Sequence, residues 1–312
     1  MKKLIPILLL TVLILTGCGS KNDASSQDTF TFKDSLDNEV TVKLKPENVA
    51  VIFPSYCDIW QLAGGNISIS AEDAIKRGFV AKEDIQVVAK GTGKDVNTEL
   101  LLASKPDFVI LSSDYPSHVD LANVLRENNI PVALFKVDSF DQYLDMFKIC
   151  TDIMENEEAF KTYGTDVQTQ IDSILKKVSE IKDSNSILLI RAFSKGAKAQ
   201  VQDNFVGQML KDLNTENIAN NADILLTELS LEAIVKEDPE YIFVTTMGEN
   251  TKAAVDYMDN EFKTNPIWNN LSAIKEDKYF ILPKELFHYK PNARWGDAYE
   301  YLAKILYPSQ FN

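Results

Sequence analysis

The residues best suited to chemistry in this 312-residue sequence stand directly after short apolar runs. Arg191 follows Ile187-Leu188-Leu189-Ile190, with Phe193 and Lys195 just beyond it. A charge at the end of an apolar run is costly unless it has a use or a partner, so Arg191 is expected to hold a ligand. Ser55, Tyr56 and Trp60 come after the run 49–53 and its stop at Pro54. Tyr115 and His118 come after the run 108–111, and Met247 after 241–244. Phe287, His288, Tyr289, Arg294 and Trp295 complete the set. Aromatics and cations facing one cleft suit a large, partly apolar, often anionic chelate. Tyr56 and Tyr289 have the phenols to ligate ferric iron, although their spacing does not require it. Plain packing competes at some positions. Trp60, flanked by Ile59 and Leu62 in a helical stretch, reads better as core, and Met247 reads equally as packing or contact. His288, in a loop, suits either a ligand or solvent.

Reactive constellations are missing. There is no Gly-x-Ser-x-Gly and no His-Glu-x-x-His, so no catalytic residue is assigned and the chain is not expected to be an enzyme. Gly91-Thr92-Gly93-Lys94 lacks the glycine spacing and the following Ser or Thr of a phosphate loop. Carboxylates are plentiful enough to hide an acid pair, which leaves a secreted two-lobed α/β hydrolytic enzyme as the alternative of another class. A bare zinc or manganese site takes several histidines, and only His118 and His288 exist, so no metal site is expected.

The elements that must position these residues repeat. Asn97-Thr98-Glu99 opens a short helical stretch, Lys105-Pro106-Asp107 breaks it, and a strand follows at 108–111. Shifted by 133 positions, Ser230-Leu231-Glu232, Asp238-Pro239-Glu240 and the strand 241–244 repeat the arrangement. Asn97 and Ser230 are good N-caps, and Glu99 and Glu232 fall in first turns, where a carboxylate suits the helix dipole. Runs 132–137 and 279–282 match as well. Strands alternating with helices in each half imply α/β lobes, each with a parallel sheet covered on both faces. Between them, Phe160, Tyr163, Val167, Ile171, Ile174, Val178 and Ile181 step by three and four. This predicts one amphipathic linker helix of about 40 Å. Ala298, Leu302, Ile305 and Leu306 give a closing helix stopped by Pro308. In open α/β sheets ligands bind beyond the carboxyl ends of the strands, which places the cleft between the lobes. The expected divisions are 1–17, 18–39, 40–155, 156–183 and 184–312.

The N-terminus sets the compartment. Lys2 and Lys3 precede an apolar run, 4–15, too short to span a membrane stably but suited to export. It ends in Leu15-Thr16-Gly17-Cys18, which resembles the lipobox of bacterial lipoproteins, in which the cysteine is diacylated and becomes the new N-terminus. A simple secretory signal is the plainer alternative. Segment 1–17 is thus the signal peptide, Cys18 the lipidation site, and 18–39 the lipidated residue and its flexible tether. Loss of 1–17 takes the formal charge from −14 to −16, and so acidic a chain without basic blocks argues against nucleic acid and anionic lipid. Contact with the membrane is expected through the lipid alone. Cys57 and Cys150 are too few for a disulfide framework; buried thiols are expected, with a single bridge as the other option.

Over residues 40 to 308 the chain resembles the periplasmic binding proteins whose two Rossmann-like lobes are joined by a long helix, the group that serves importers of ferric siderophores, haem and cobalamin. The two Glu-helix-Pro-strand units carry the resemblance, with Asn214-Thr215-Glu216-Asn217-Ile218, Trp268-Asn269-Asn270-Leu271-Ser272-Ala273-Ile274-Lys275, Lys290-Pro291-Asn292-Ala293-Arg294 and 302–308. It implies a monomeric extracytoplasmic lipoprotein on the outer face of the bacterial cytoplasmic membrane. It would serve an ABC importer made of a permease dimer and ATPase subunits. By position, Glu99 and Glu232 are the carboxylates that dock with permease arginines. No cofactor is implied. The ligand would be a ferric siderophore, with haem and cobalamin as alternatives, and a surface receptor without a transport partner is a further one.

Overall fold

The computed structural model describes residues 28–221, 224–227, 229–248, 250–260 and 264–311. Cys18, the expected lipidation site, and the expected signal peptide 1–17 lie outside the described residues.

Folded structure begins earlier than the expected tether boundary at residue 39. Strands β1 (Thr29–Lys33) and β2 (Glu39–Lys43) pair antiparallel. Their alternation of apolar and polar residues drives one face inward. Phe32, Val40 and Val42 are buried, and Phe32 stacks on Phe135. The hairpin is held to the lobe by Asp34, which accepts from the backbone N–H groups of Leu36, Asn38 and Leu134.

The first lobe then alternates β3 (Val49–Val51), α1 (Pro54–Leu62), β4 (Ile69–Ala71), α2 (Glu72–Lys76), β5 (Gln86–Ala89), α3 (Thr98–Ala103), β6 (Phe108–Ser112), α4 (Pro116–Glu127), β7 (Val132–Phe135) and α5 (Phe140–Met154). Its sheet runs β5-β4-β3-β6-β7, all parallel. The connections reverse direction between β3 and β6, which puts the crevice after those two strands.

The linker is α6 (Glu157–Phe160), a π-helical turn at Lys161–Thr165 and α7 (Asp166–Ser179). Val167, Ile171, Ile174 and Val178 are buried as their spacing requires. At the π turn the Tyr143 hydroxyl donates to the Tyr163 carbonyl at 2.9 Å. Gly164 lets the helix lie against Leu144, which a Cβ would meet at 3.3 Å.

The second lobe comprises β8 (Asn185–Phe193), β9 (Gly196–Gln200), α8 (Phe205–Asp212), β10 (Thr215–Asn217), α9 (Ile224–Thr227), α10 (Leu231–Glu237), β11 (Tyr241–Thr246), α11 (Thr251–Met258), α12 (Ser272–Lys275), β12 (Tyr279–Ile281), α13 (Lys284–Phe287), α14 (Trp295–Leu306) and α15 (Pro308–Phe311). Strands β10-β8-β11-β12 are parallel, while β9 folds back antiparallel on β8.

The internal repeat is real in three dimensions. Asn97 caps α3 through the Leu100 N–H and Ser230 caps α10 through the Ala233 N–H. Lys105 and Asp238, each before a proline, take left-handed φ of 48° and 43°. The Asp107 carboxylate then accepts from the Asn48 N–H and that of Glu240 from the Ser186 N–H, both at 2.9 Å. Each acid thereby fastens its strand to the central strand of its lobe. One continuous apolar core runs from the hairpin through α5, α7 and α14 into β8 and β11. Packing shared by both lobes and the linker restricts how far the lobes can part.

Candidate functional site

The strand ends bring the candidate residues to one crevice, but in different roles. On the first lobe they form a packed wall. Phe53 meets Tyr56 edge-on at 4.7 Å and Tyr115 at 5.7 Å, and Tyr115 meets His118 at 5.1 Å. Phe53 and Tyr115 are half-buried and retain exposed surface, the Tyr115 hydroxyl lying 3.4 Å from Thr92 Oγ1, while Tyr56 and His118 are buried.

Several expectations need correction here. Tyr56 is fully buried and donates its hydroxyl to the Phe135 carbonyl. Burial drives its pKa upward, and with its hydroxyl spent on a backbone carbonyl it presents no surface to the crevice. Trp60 is fully buried too; its indole N–H donates to the Asn66 carbonyl at 2.8 Å and its ring packs on Phe108. The helix that presents these two residues turns them toward the core because Tyr56, Ile59, Trp60 and Ala63, at steps of three and four, share its inner face. His118 is a structural clamp: Nδ1 accepts from the Ser112 N–H, so Nε2 carries the proton and donates to the Gly93 carbonyl at 2.7 Å. Desolvation lowers its pKa. Trp295 is buried between Phe140 of the first lobe and Phe205 of the second, where it joins the lobes and lies outside the hollows lined by Arg77 and Arg191.

The second lobe supplies charge. Strand β8 runs past its expected end at residue 190, so Arg191 lies within the strand, half-buried, with Phe193 on the same face. Burial lowers the Arg191 pKa, while Asp203 and Asp138 favour its charge. His288 is half-buried, and its pKa is lowered to about 4 by burial and then by the cations Lys284, Arg191 and Arg77. Its imidazole is therefore neutral in the free protein. Met247 is 42 % exposed, beside β8 through its N–H to the Ala192 carbonyl.

Arg77 was absent from the sequence-derived set. It caps the C-terminus of α2, its guanidinium carbon sits 3.9 Å from the Tyr289 ring centroid, and Nη1 donates to Ser55 Oγ. A signal was available: the sequence has only four arginines, and Arg77, Arg191 and Arg294 all line hollows of this crevice. Asp58, Arg77, Tyr289, Lys290 and Arg294 border a groove of about 450 Å³. The loop 288–294 crosses between lobes. Lys290 pairs with Asp138 at 2.7 Å, and buried Asn292 donates to the Ser55 carbonyl and to Asp58 Oδ2. Burial raises the Asp58 pKa against that hydrogen bond.

Glu99 and Glu232 are exposed in the first turns of α3 and α10, outside the crevice. Cys57 and Cys150 are free and buried. Burial pushes the Cys57 thiol up to about 12 and that of Cys150 upward as well, so neither is nucleophilic at neutral pH. Among the described residues no group of three His, Cys, Asp or Glu side chains is placed to hold a metal ion. No helix among them is long and apolar enough to cross a membrane.

Two α/β lobes on a helical linker, with a cation-rich crevice at the strand ends, define the class of two-lobed binding proteins. Comparison agrees: the family model described as periplasmic binding protein matches residues 49–286, and the chain belongs to that family. It is 25 % identical over 284 residues to the Fe(3+)-citrate-binding protein YfmC of Bacillus subtilis, covering 88 % of this chain and 86 % of the relative. The fold matches a siderophore-binding protein, BauB, solved with two acinetobactin molecules and ferric iron. There the TM-score is 0.72 at 16 % identity, over 91 % of this chain and 100 % of the other. It also matches Staphylococcus aureus IsdE complexed with heme, with TM-score 0.66 at 15 % identity over 83 % and 98 % of the two chains. These likenesses lend the hydrolase alternative no support.

Proposed function

We propose that this chain is the extracytoplasmic receptor of an ABC importer, capturing an anionic ferric chelate between its lobes and handing it to a permease dimer driven by ATPase subunits. The observation that carries this reading is the gathering of Arg77, Arg191 and Lys284 around a neutral His288 at the crevice. Clustered cations in a half-buried crevice repel one another until an anion neutralises them. Ferric iron arrives dressed by its own chelator, which fits a crevice with no metal-binding cluster among the described residues. The Bacillus subtilis relative named for Fe(3+)-citrate supports a chelate rich in carboxylates. Anchoring through acylated Cys18 would hold the receptor at the outer face of the membrane.

Docking is assigned to Glu99 and Glu232, two exposed first-turn acids at equivalent places of the two lobes. Such a pair suits two positive patches on a pseudo-symmetric permease. The double variant Glu99→Ala/Glu232→Ala should keep its chelate affinity yet lose binding to importer-containing vesicles. Unchanged vesicle binding would sink the docking role.

The decisive experiment is fluorescence titration of residues 19–312 with ferric citrate, a ferric hydroxamate, haem and cobalamin, with bare metal ions as control. Saturable submicromolar quenching by ferric citrate supports the reading. Preference for haem would move the ligand toward His288 and Met247, and response to bare ions alone would refute the receptor assignment.

A further inference from the structure

The second lobe holds a hollow beside a β-ribbon that the first lobe's sheet lacks among the described residues. Beyond Ile190, β8 continues for three residues and turns back as β9, whereas β3 and β6 of the first lobe end without such a ribbon. On this ribbon Arg191 stands directly opposite Lys198. Like charges facing each other across an antiparallel pair destabilise it, so the arrangement is a local conflict that a bound anion would relieve. Asp203, beside the same hollow, is the acid that favours the charge on Arg191.

Apolar side chains supply much of the remaining lining. The hollow measures about 280 Å³, and Phe193, Val201 and Leu226 line it beside the two cations. Leu226 belongs to α9, which packs against β9, and is 36 % exposed. Gln200, also in the lining, has a buried side-chain oxygen with no donor. Arg191 couples the hollow electrostatically to the crevice, its charge being felt by His288 and by Asp138 of the other lobe.

We propose that the β8–β9 ribbon forms an arm-binding subsite, in which Arg191 and Lys198 hold a carboxylate of the chelate while Phe193, Val201 and Leu226 take an apolar chain attached through an amide. Gln200 would receive the amide N–H. This rests on the chelate-receptor reading and narrows its ligand class to amphiphilic carboxylate chelates. An apolar chain gains from leaving water in proportion to the area it buries, so chain length is the variable to test.

The test uses residues 19–312 and three probes: ferric citrate and the ferric complexes of citric acid mono-methylamide and mono-octylamide. The octylamide complex should bind at least tenfold more tightly than the methylamide complex. Leu226→Ser should remove most of that preference with ferric citrate binding changed less than twofold, and Val201→Ser should act in the same direction. Equal binding of the two amides, or a preference untouched in both variants, overturns the subsite while ferric citrate binding keeps the receptor reading intact. If none of the three complexes binds, the receptor reading fails first and the subsite with it.

Discussion

The two lobes are built on one plan and finished differently at the crevice. The first ends in a wall of rings and backbone clamps: Tyr56 on the Phe135 carbonyl, His118 between Ser112 and Gly93, Phe53 against Tyr115. Its polar groups are already satisfied internally. The second ends in Arg191, Lys198, Lys284 and His288, several of them held near like charges. Satisfied groups make a rigid, preformed surface, whereas frustrated charges make one that gains most when an anion arrives. Arg77 is the exception that joins them, a first-lobe cation laid on a second-lobe ring.

If this contrast holds, mutations in the wall should cost stability and those in the charged half should cost affinity. Trp60→Ala should destabilise the protein by about 3–5 kcal/mol, since it empties a fully buried ring site packed on Phe108. Denaturant unfolding would show this, and chelate affinity of the folded fraction should stay within a fewfold. Equal losses of both would erase the distinction. Arg191→Ala should weaken ferric citrate roughly a hundredfold, equivalent to ~2.7 kcal/mol, with a smaller change in unfolding midpoint. Arg77→Ala should fall between, losing affinity and some contact between lobes.

The smallest effect is on pH. With a folded pKa of about 4, His288 takes up its proton later than in the unfolded chain, where it does so near ~6.5. Stability should therefore fall as pH drops from 6.5 toward 4, by ~2 kcal/mol from this group once the ~3 kcal/mol implied by the two pKa values is discounted for its partial exposure, and His288→Gln should flatten that slope. Saturating ferric citrate should flatten it too, because an anion beside His288 favours its charged form. A parent and variant with superimposable urea midpoints across this range would remove His288 from the cluster.

Much of the plan was legible in sequence because it is local. The shift of 133 positions between the halves, the caps at Asn97 and Ser230 and the stripe from Val167 to Val178 depend on neighbours along the chain, and the structure reproduces them. The hairpin at Thr29–Lys33 and Glu39–Lys43 was missed, since 18–39 was assigned to the tether, although the alternation of Phe30, Phe32, Val40 and Val42 carries its signal.

Residue type and position after a strand determined that Arg191, Tyr115, His288 and Tyr289 would gather at one crevice. They did not determine which way each side chain would turn. Tyr56 and Trp295 have aromatic rings equally fit for a ligand or a core, and only the Phe135 carbonyl and packing against Phe140 and Phe205 decided for the core, whereas the burial of Trp60 on Phe108 follows its helical neighbours Ile59 and Leu62. Arg77 entered the site because Tyr289, more than two hundred residues away in sequence, supplies the ring beneath it. Charge repulsion between Arg191 and Lys198 likewise exists only once β9 folds back on β8. Periodicity and capping are properties of adjacent residues and are written in the chain, whereas burial and the sum of nearby charges are properties of space and arise only when the lobes are assembled.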